Sequence, residues 1–442
     1  MKAYVPAMAM VVAMAATANA QSPRRITLQD AIQIAVRQSS EVTLAENNVA
    51  LDQIAVAEQK SRFLPSLSLS TSGGQSYGRA FSEAEGGLIG QTTNSVNLRL
   101  NSSVTLFDGF ANLANLRSAR LDADAGSLSA ERTRQTVVFN VVGGFLTLLE
   151  AQEQVSVATE NLAAQQKREA EVDQMVKAGS RPIAELYQQQ SAVAGAKSVR
   201  VDAQRSLEVA RLDLVQAMRL EPTATYDFVT PELEAGNATA LNVDSMIARA
   251  LSARVDLRAA DARVGAAEQS VSVAKASRWP TLSLSAGYGS NYSSSSVLGL
   301  SNQLDQRQSG SLSIGVSVPV FDRGATSRAI QRAGITADNA QLELADLRRQ
   351  VAMDVQRAAL DRKSAQASLE AAQARLTAAD QALKATELRY QAGVATLFEV
   401  RQTRTDFVDA SSAAVRARTQ VLLQDAVLDY YTGEINAQRA LN

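Results

Sequence analysis

The chain contains no cysteine and no histidine among its 442 residues. Without thiols or imidazoles there are no disulfides, none of the usual zinc or copper sites, and few of the nucleophile–base pairs used in covalent catalysis. Positive and negative charges nearly cancel, at a net -1, and they are interspersed. So even a balance leaves no basic footprint for nucleic acid. After the first twenty residues there is no run of about 18 apolar side chains, which excludes a transmembrane helix. The stretch Gly86-Gly87-Leu88-Ile89-Gly90 lacks the Lys-Ser/Thr of a phosphate loop and reads as an exposed loop between strands. Asp108-Gly109 lacks the other oxygen ligands of a calcium loop. No enzyme activity and no cofactor are expected.

The N-terminus, MKAYVPAMAMVVAMAATANA, has Lys2, a short apolar core and the small-residue ending Ala18-Asn19-Ala20. It predicts a secretory signal peptide over 1–20, since the apolar run is too short to span a bilayer comfortably. No cysteine follows the expected cleavage point, so the mature chain is not expected to be lipid-anchored. An exported chain without a membrane helix is periplasmic, secreted, or an outer-membrane β-barrel.

What is present is a repeat. FLPSLSL at 63–69 returns as RWPTLSL at 278–284, and VTLFD at 104–108 as VPVFD at 318–322. KAG at 177–179, followed by Glu185-Leu186, returns as QAG at 391–393, followed by Glu399-Val400. These echoes keep one order at a displacement of 214 or 215 residues. A solenoid would repeat every 20–50 residues or so, and the longer period indicates a duplicated domain. The expected division is a first repeat over 21–220, a linker over 221–242, a second repeat over 243–432 and a tail over 433–442.

Each repeat reads as helix, strand, loop, strand, very long helix, tight turn, helix. Strands are predicted at about 66–77, 95–107, 281–292 and 311–321 by period-2 alternation. In the last, Leu312, Ile314, Val316, Val318 and Val320 oppose Ser311, Ser313, Gly315 and Ser317. Alternation alone fits any half-buried antiparallel sheet. The wet polar faces and lengths of about 10–12 residues favour tilted membrane-spanning strands. Phe63, Phe107, Trp279 and Phe321 mark the helix-side ends, and Tyr77 and Tyr292 the loop-side ends. That distribution suits an aromatic girdle at the two surfaces of an outer membrane lipid bilayer. Four strands cannot close a barrel, and an open edge in lipid leaves backbone groups unpaired. Two copies would give eight strands with a side-chain-filled interior; three give twelve and a water-filled lumen, so a homotrimer is expected.

Long proline-free helices are predicted at about 110–177 and 325–391, each roughly 100 Å long at 1.5 Å per residue. Flanking helices at about 28–62, 182–218, from 243, and at 396–430 are half as long or less, and two stacked end to end would match one long helix. Leu369, Ala372, Leu376, Ala379, Leu383, Thr386 and Tyr390 follow the 3-4 spacing of a coiled-coil seam. Pro65 and Pro280 stand where helix becomes strand. Asp108-Gly109 and Asp322-Arg323-Gly324 stand where strand becomes helix, with aspartate the expected N-cap.

Taken together, the FLP and RWP joints, the LFDGF and VFDRG returns and the RYQAG turn resemble the TolC-type outer membrane efflux family over nearly the whole mature chain. The resemblance implies an α+β membrane protein: an all-α periplasmic tunnel plus four barrel strands per chain, closed as twelve in a homotrimer. It implies an exit duct that docks with a periplasmic adaptor protein and an inner-membrane pump and exports drugs, toxins or other solutes. It further implies a periplasmic gate, where Tyr390 matches the gating tyrosine, Glu185 the acid bonded to it, and Glu399 the first acid of the constriction. Gln402 replaces the usual second acid, and Ala395 stands where some members carry a gate arginine. The adaptor-docking tips would be Ala178-Gly179 and Ala392-Gly393. The alternative is a secreted coiled-coil structural or adhesin protein without a pore.

Overall fold

The computed structural model describes residues 24–82, 86–229, 242–296 and 298–435. The expected signal peptide, most of the linker and the end of the tail lie outside the described residues. In chain order the elements are β1 (Arg24–Thr27), α1 (Leu28–Gln38), α2 (Ser40–Ser61), β2 (Ser66–Ser82), β3 (Gly87–Phe107), α3 (Ala111–Lys177), α4 (Ile183–Ala217) and β4 (Tyr226–Val229). They continue as α5 (Val243–Ala253), α6 (Val255–Ala276), β5 (Thr281–Ser293), α7 (Leu300–Gln306), β6 (Ser309–Ser317), α8 (Ala325–Gln391) and α9 (Leu397–Thr432). Among the described residues no helix is long and apolar enough to cross a membrane.

β2, β3, β5 and β6 form one antiparallel sheet in that order, with β2 and β6 as its free edges. The register collects the apolar residues of all four strands on one face. Leu69 pairs with Leu100, Leu100 with Tyr288, Leu284 with Ile314, and Leu282 with Val316. Directly paired side chains share a face, so the other face carries the serines, asparagines and glycines. Its hydroxyls bond across the strands: Ser66, Ser68 and Ser70 donate to the carbonyls of Ser103, Asn101 and Arg99. Among the described residues nothing packs against the apolar face; Leu67 and Leu312 are 72% and 74% exposed.

The strand limits differ from the expected ones. The β2–β3 hairpin reaches further, to the pair Ser82–Gly87, so Gly87 to Gly90 belong to a strand and not to a loop. β6 is shorter and stops at Ser317, two residues before Pro319, which has no amide to donate. α7 fills what was expected to be plain loop. The buried Gln303 accepts the Ser293 N–H at 2.9 Å and donates to the Ser293 carbonyl at 3.0 Å, occupying the place of a neighbouring strand.

α3 and α8 have 67 residues each. α3 packs along α4, α2, α6 and α9, and α8 along α9, α6 and α5. The helix predicted over 28–62 is in fact two helices. Ser39 is extended between α1 and α2, and its hydroxyl accepts the Val42 N–H at 3.4 Å. Arg254 breaks α5 from α6 in the same extended conformation. The break lets α1 turn Leu28, Ala31, Ile32 and Ala35 inward against Val141, Val142 and Phe145 of α3 and Leu214 of α4. β1 and β4 pair in parallel beside this core and bury Ile26 and Phe228 in it, a small sheet not foreseen in the linker.

At the strand-to-helix joints the aspartates do not stand at the N-cap position. The N-caps are Phe110 and Gly324, each left-handed, and each preceded by a second left-handed residue, Gly109 or Arg323. The carboxylate reaches forward over this turn. Asp108 accepts the Asn112 N–H at 2.8 Å, and Asp322 the Thr326 N–H at 2.7 Å, so each still caps its helix from two residues further back. Gly109 leaves no room for a side chain without local movement, because a Cβ there would lie 2.6 Å from the Ala276 carbonyl. Pro65 and Pro280 stand just ahead of β2 and β5, after the closing turns of α2 and α6.

Candidate functional site: the helical hairpin tips

α3–α4 and α8–α9 are hairpins whose tips carry the expected docking and gate residues. Both long helices end in the same motif. The N–H groups of Gly179 and Ser180 reach back to Val176 and Met175, and those of Gly393 and Val394 to Tyr390 and Arg389. Gly179 (φ 71°) and Gly393 (φ 78°) supply the left-handed residue that this motif requires. Ala178, Gly179, Ala392 and Gly393 are all exposed. Ile183, Tyr187, Val394 and Phe398 expose apolar surface beside them.

Inside the tips Tyr390 is 1% exposed and packs with Val172, Leu397 and Val400. Its hydroxyl donates to the Glu185 carboxylate at 3.4 Å, linking the second hairpin to the first. Arg181 lies 4.8 Å above the ring and 3.7 Å from the same carboxylate. Burial, followed by the Glu185 charge, pushes the Tyr390 hydroxyl above its ordinary pKa of 10.0. It therefore stays a neutral donor at physiological pH.

One turn earlier in α8, Glu387 accepts Arg168 of α3 at 3.1 Å and Arg404 of α9 at 2.8 Å. Arg168 also bonds Glu171 at 2.8 Å. The clasp is mostly buried, where charge-assisted bonds are stronger than on an open surface. Gln189, fully buried, donates to the Gln165 carbonyl at 3.0 Å and ties α4 to α3.

The structure thus brings Glu185 and Tyr390 together, whereas Glu399 and Gln402 bond partners within their own hairpin. Glu399 closes a capping box with Thr396 at the start of α9 and lies 3.6 Å from Arg389. Gln402 is exposed and donates to Asp406 at 3.2 Å. Ala395 is buried. Sequence reasoning singled out none of Arg168, Arg181, Glu387 and Arg404, of which Arg181 lies in the turn between α3 and α4 and the others on helices. The available signal was the position of Glu387, one turn before Tyr390 on the face of the predicted seam. Among the described residues no acidic cluster could hold a metal ion.

The sequence profile of the outer membrane efflux protein family matches residues 31–218 and 246–434. The chain belongs to that family. Among curated members, the pyoverdine export outer membrane protein OpmQ of Pseudomonas putida is 26% identical over 350 residues, covering 76% of this chain and 70% of that protein. Protein CyaE of Bordetella pertussis is 24% identical over 410 residues, covering 93% and 84%. Outer membrane protein TolC of Salmonella enteritidis is 23% identical over 411 residues, covering 90% and 79%. The fold is that of solved outer membrane channels. VceC from Vibrio cholerae superposes with a TM-score of 0.78 at 18% identity, over 92% of this chain and 96% of that one. CusC gives 0.80 at 18% identity, over 92% of each.

Proposed function

We propose that three copies of this chain form a passive exit duct in the outer membrane, fed by an inner-membrane pump through a periplasmic adaptor. The observation that carries this reading is a sheet with one uncovered apolar face and two free edges, joined to helices of about 100 Å. Lipid is the solvent such a face fits, and further strands are what its edges need. Twelve strands would enclose a lumen lined by serine and asparagine. Phe63, Tyr77, Phe107, Trp279, Tyr292 and Phe321 would lie at the membrane surfaces, and the helices would continue the lumen across the periplasm. Two features support the duplicated architecture, namely the equal lengths of α3 and α8 and the double match of the family profile. The tips Ala178-Gly179 and Ala392-Gly393, with the exposed apolar residues beside them, would receive the adaptor. Tyr390 and Glu185 would hold the gate shut, with Glu399 and Gln402 facing the constriction. Export of a solute, as in the pyoverdine export named for the Pseudomonas putida relative, fits a polar lumen of this kind.

The test is direct. Purified protein should run as a heat-labile trimer and conduct ions in planar lipid bilayers. A monomer that fractionates away from outer membranes and forms no conductance would rule the duct out and favour the coiled-coil alternative.

A further inference from the structure

We propose that β6 of one copy pairs with β2 of the next in a single register: Leu312 opposite the neighbour's Gln75, Ile314 opposite its Gly73, and Val316 opposite its Thr71. This rests on the duct reading and specifies how the barrel wall closes.

The two hairpins of the sheet already share one register. Leu67 pairs with Ser102 and Leu282 with Val316; moving the first pair along the chain by 215 and 214 residues yields the second. Those are the displacements of the sequence repeat itself. Applied to the central seam between β3 and β5, they convert it into a seam between β6 and β2. Leu98–Ser290, Leu100–Tyr288 and Ser102–Ala286 become the three pairs named above. Each joins two residues of the apolar face, as the pleat demands, whereas a slip of one residue would turn one strand inside out. The strand directions alternate through the sheet, so the new pair is antiparallel as well.

The register also accounts for the early end of β6. On β3, residues 104–107 lie beyond the start of β2 and are held only by β5. Their equivalents, 318–321, lie beyond the start of β5, so among the described residues one chain holds no strand for them. In the proposed seam they meet residues 67–69 of the next copy. Val320 and Phe321, 93% and 85% exposed, are then the unpaired end of a strand whose partner is another chain. Pro319 falls at the position of Thr105, beside the irregularity between Thr105 and Phe107. Proline is tolerated at such a bulge, where a ladder bond is already lost.

The absence of native cysteine makes the test clean. The full chain would carry Ser76→Cys with Ser311→Cys, or Gln75→Cys with Leu312→Cys, and be oxidised in outer membranes. Within one chain the two edges are about 14 Å apart, three strand spacings, so a disulfide can form only between copies. Both pairs should give covalent trimers on non-reducing gels. Pairs displaced by two residues, Gly74→Cys or Gly78→Cys with Ser311→Cys, should yield at least about five-fold less, because diagonal Cβ atoms are too far apart. Equal or stronger linkage through a displaced pair, or no linkage through any pair, overturns the register. The native mass in detergent separates the two readings. A trimer with the wrong linkage overturns the register alone; a monomer overturns the duct as well.

Discussion

Tyr390 shows how one buried hydroxyl can join two hairpins. Its donor bond to Glu185 ends on a charged acceptor, and losing such a bond costs about 1.5–3 kcal/mol. Tyr390→Phe keeps the ring and its apolar packing, so the tips should fold while their link weakens. If the link helps to close the gate, single-channel conductance in planar bilayers should rise several-fold; an unchanged conductance would show that it does not. The pH dependence follows from the direction of the shift. Because the folded chain raises the Tyr390 pKa, it holds that proton more tightly than the unfolded chain does. The contribution is therefore complete below about pH 10 and is lost as pH rises through the raised folded value. Conductance should be insensitive to this group at neutral pH and rise only in strong alkali. Glu399 is separable in a similar way. Glu399→Lys removes the carboxylate and disrupts the capping box, while Glu399→Gln removes only the charge and preserves the box. Cation preference should fall in both variants; constant selectivity in both would remove Glu399 from the constriction.

Among the elements, the joints between strand and long helix carry the tightest steric demands. Gly109 and Gly179 have nearly the same backbone conformation, with φ of 68° and 71°, yet different surroundings. A Cβ on Gly109 would meet the Ala276 carbonyl oxygen at 2.6 Å and the Trp279 Cβ at 2.8 Å, whereas one on Gly179 would meet nothing within 4 Å. Gly179→Ala should cost about 1–2 kcal/mol, the left-handed penalty alone. Gly109→Ala should cost that plus about 1–3 kcal/mol of overpacking, because α6 and the turn before β5 would have to move. Thermal unfolding midpoints in detergent would compare the two, and equal losses would refute the packing argument. The second joint distributes these roles differently. There Arg323 takes the first left-handed position and Gly324 the second, while Asp322 caps as Asp108 does. The carboxylate and the turn are common to both joints; the position of the glycine is not.

At the scale of the whole molecule, a single chain leaves much unsatisfied. Its sheet exposes leucine, isoleucine and valine on one face and two rows of backbone groups at its edges. Its helices are held by the main apolar cluster around α1, β1 and β4, by smaller clusters along α8 and α9, and by the charged clasp near the tips. The buried network of Arg254, Asp256 and Arg132 adds another tie. Arg254 bonds Asp256 at 2.5 Å, and Arg132 lies 3.8 Å above the Tyr430 ring and 4.0 Å from Asp256. Burial works against the Asp256 charge, but the two arginines prevail and hold its carboxyl below the ordinary carboxylate range.

Local features of the sequence carried what depends on local physics. Alternation of leucine and serine marked the strands, because a pleat sorts successive side chains to opposite faces whatever they pack against. Proline-free stretches rich in alanine and leucine marked the long helices, and Gly179 and Gly393 their ends. Even Tyr390 and Glu185 were legible, through the resemblance to a family. The breaks at Ser39 and Arg254 were not: a lone serine is an N-cap signal too common to mark a break, and Arg254 makes no side-chain cap bond at all. Nor was the pairing of β1 with β4, which joins segments about 200 residues apart. Arg168, Glu387 and Arg404 did not stand out, since one sequence cannot say that three helices converge on them. Periodicity and chain punctuation determined the elements; only the tertiary structure decided which charges are buried together and which edges remain open, because both depend on residues far apart in the chain.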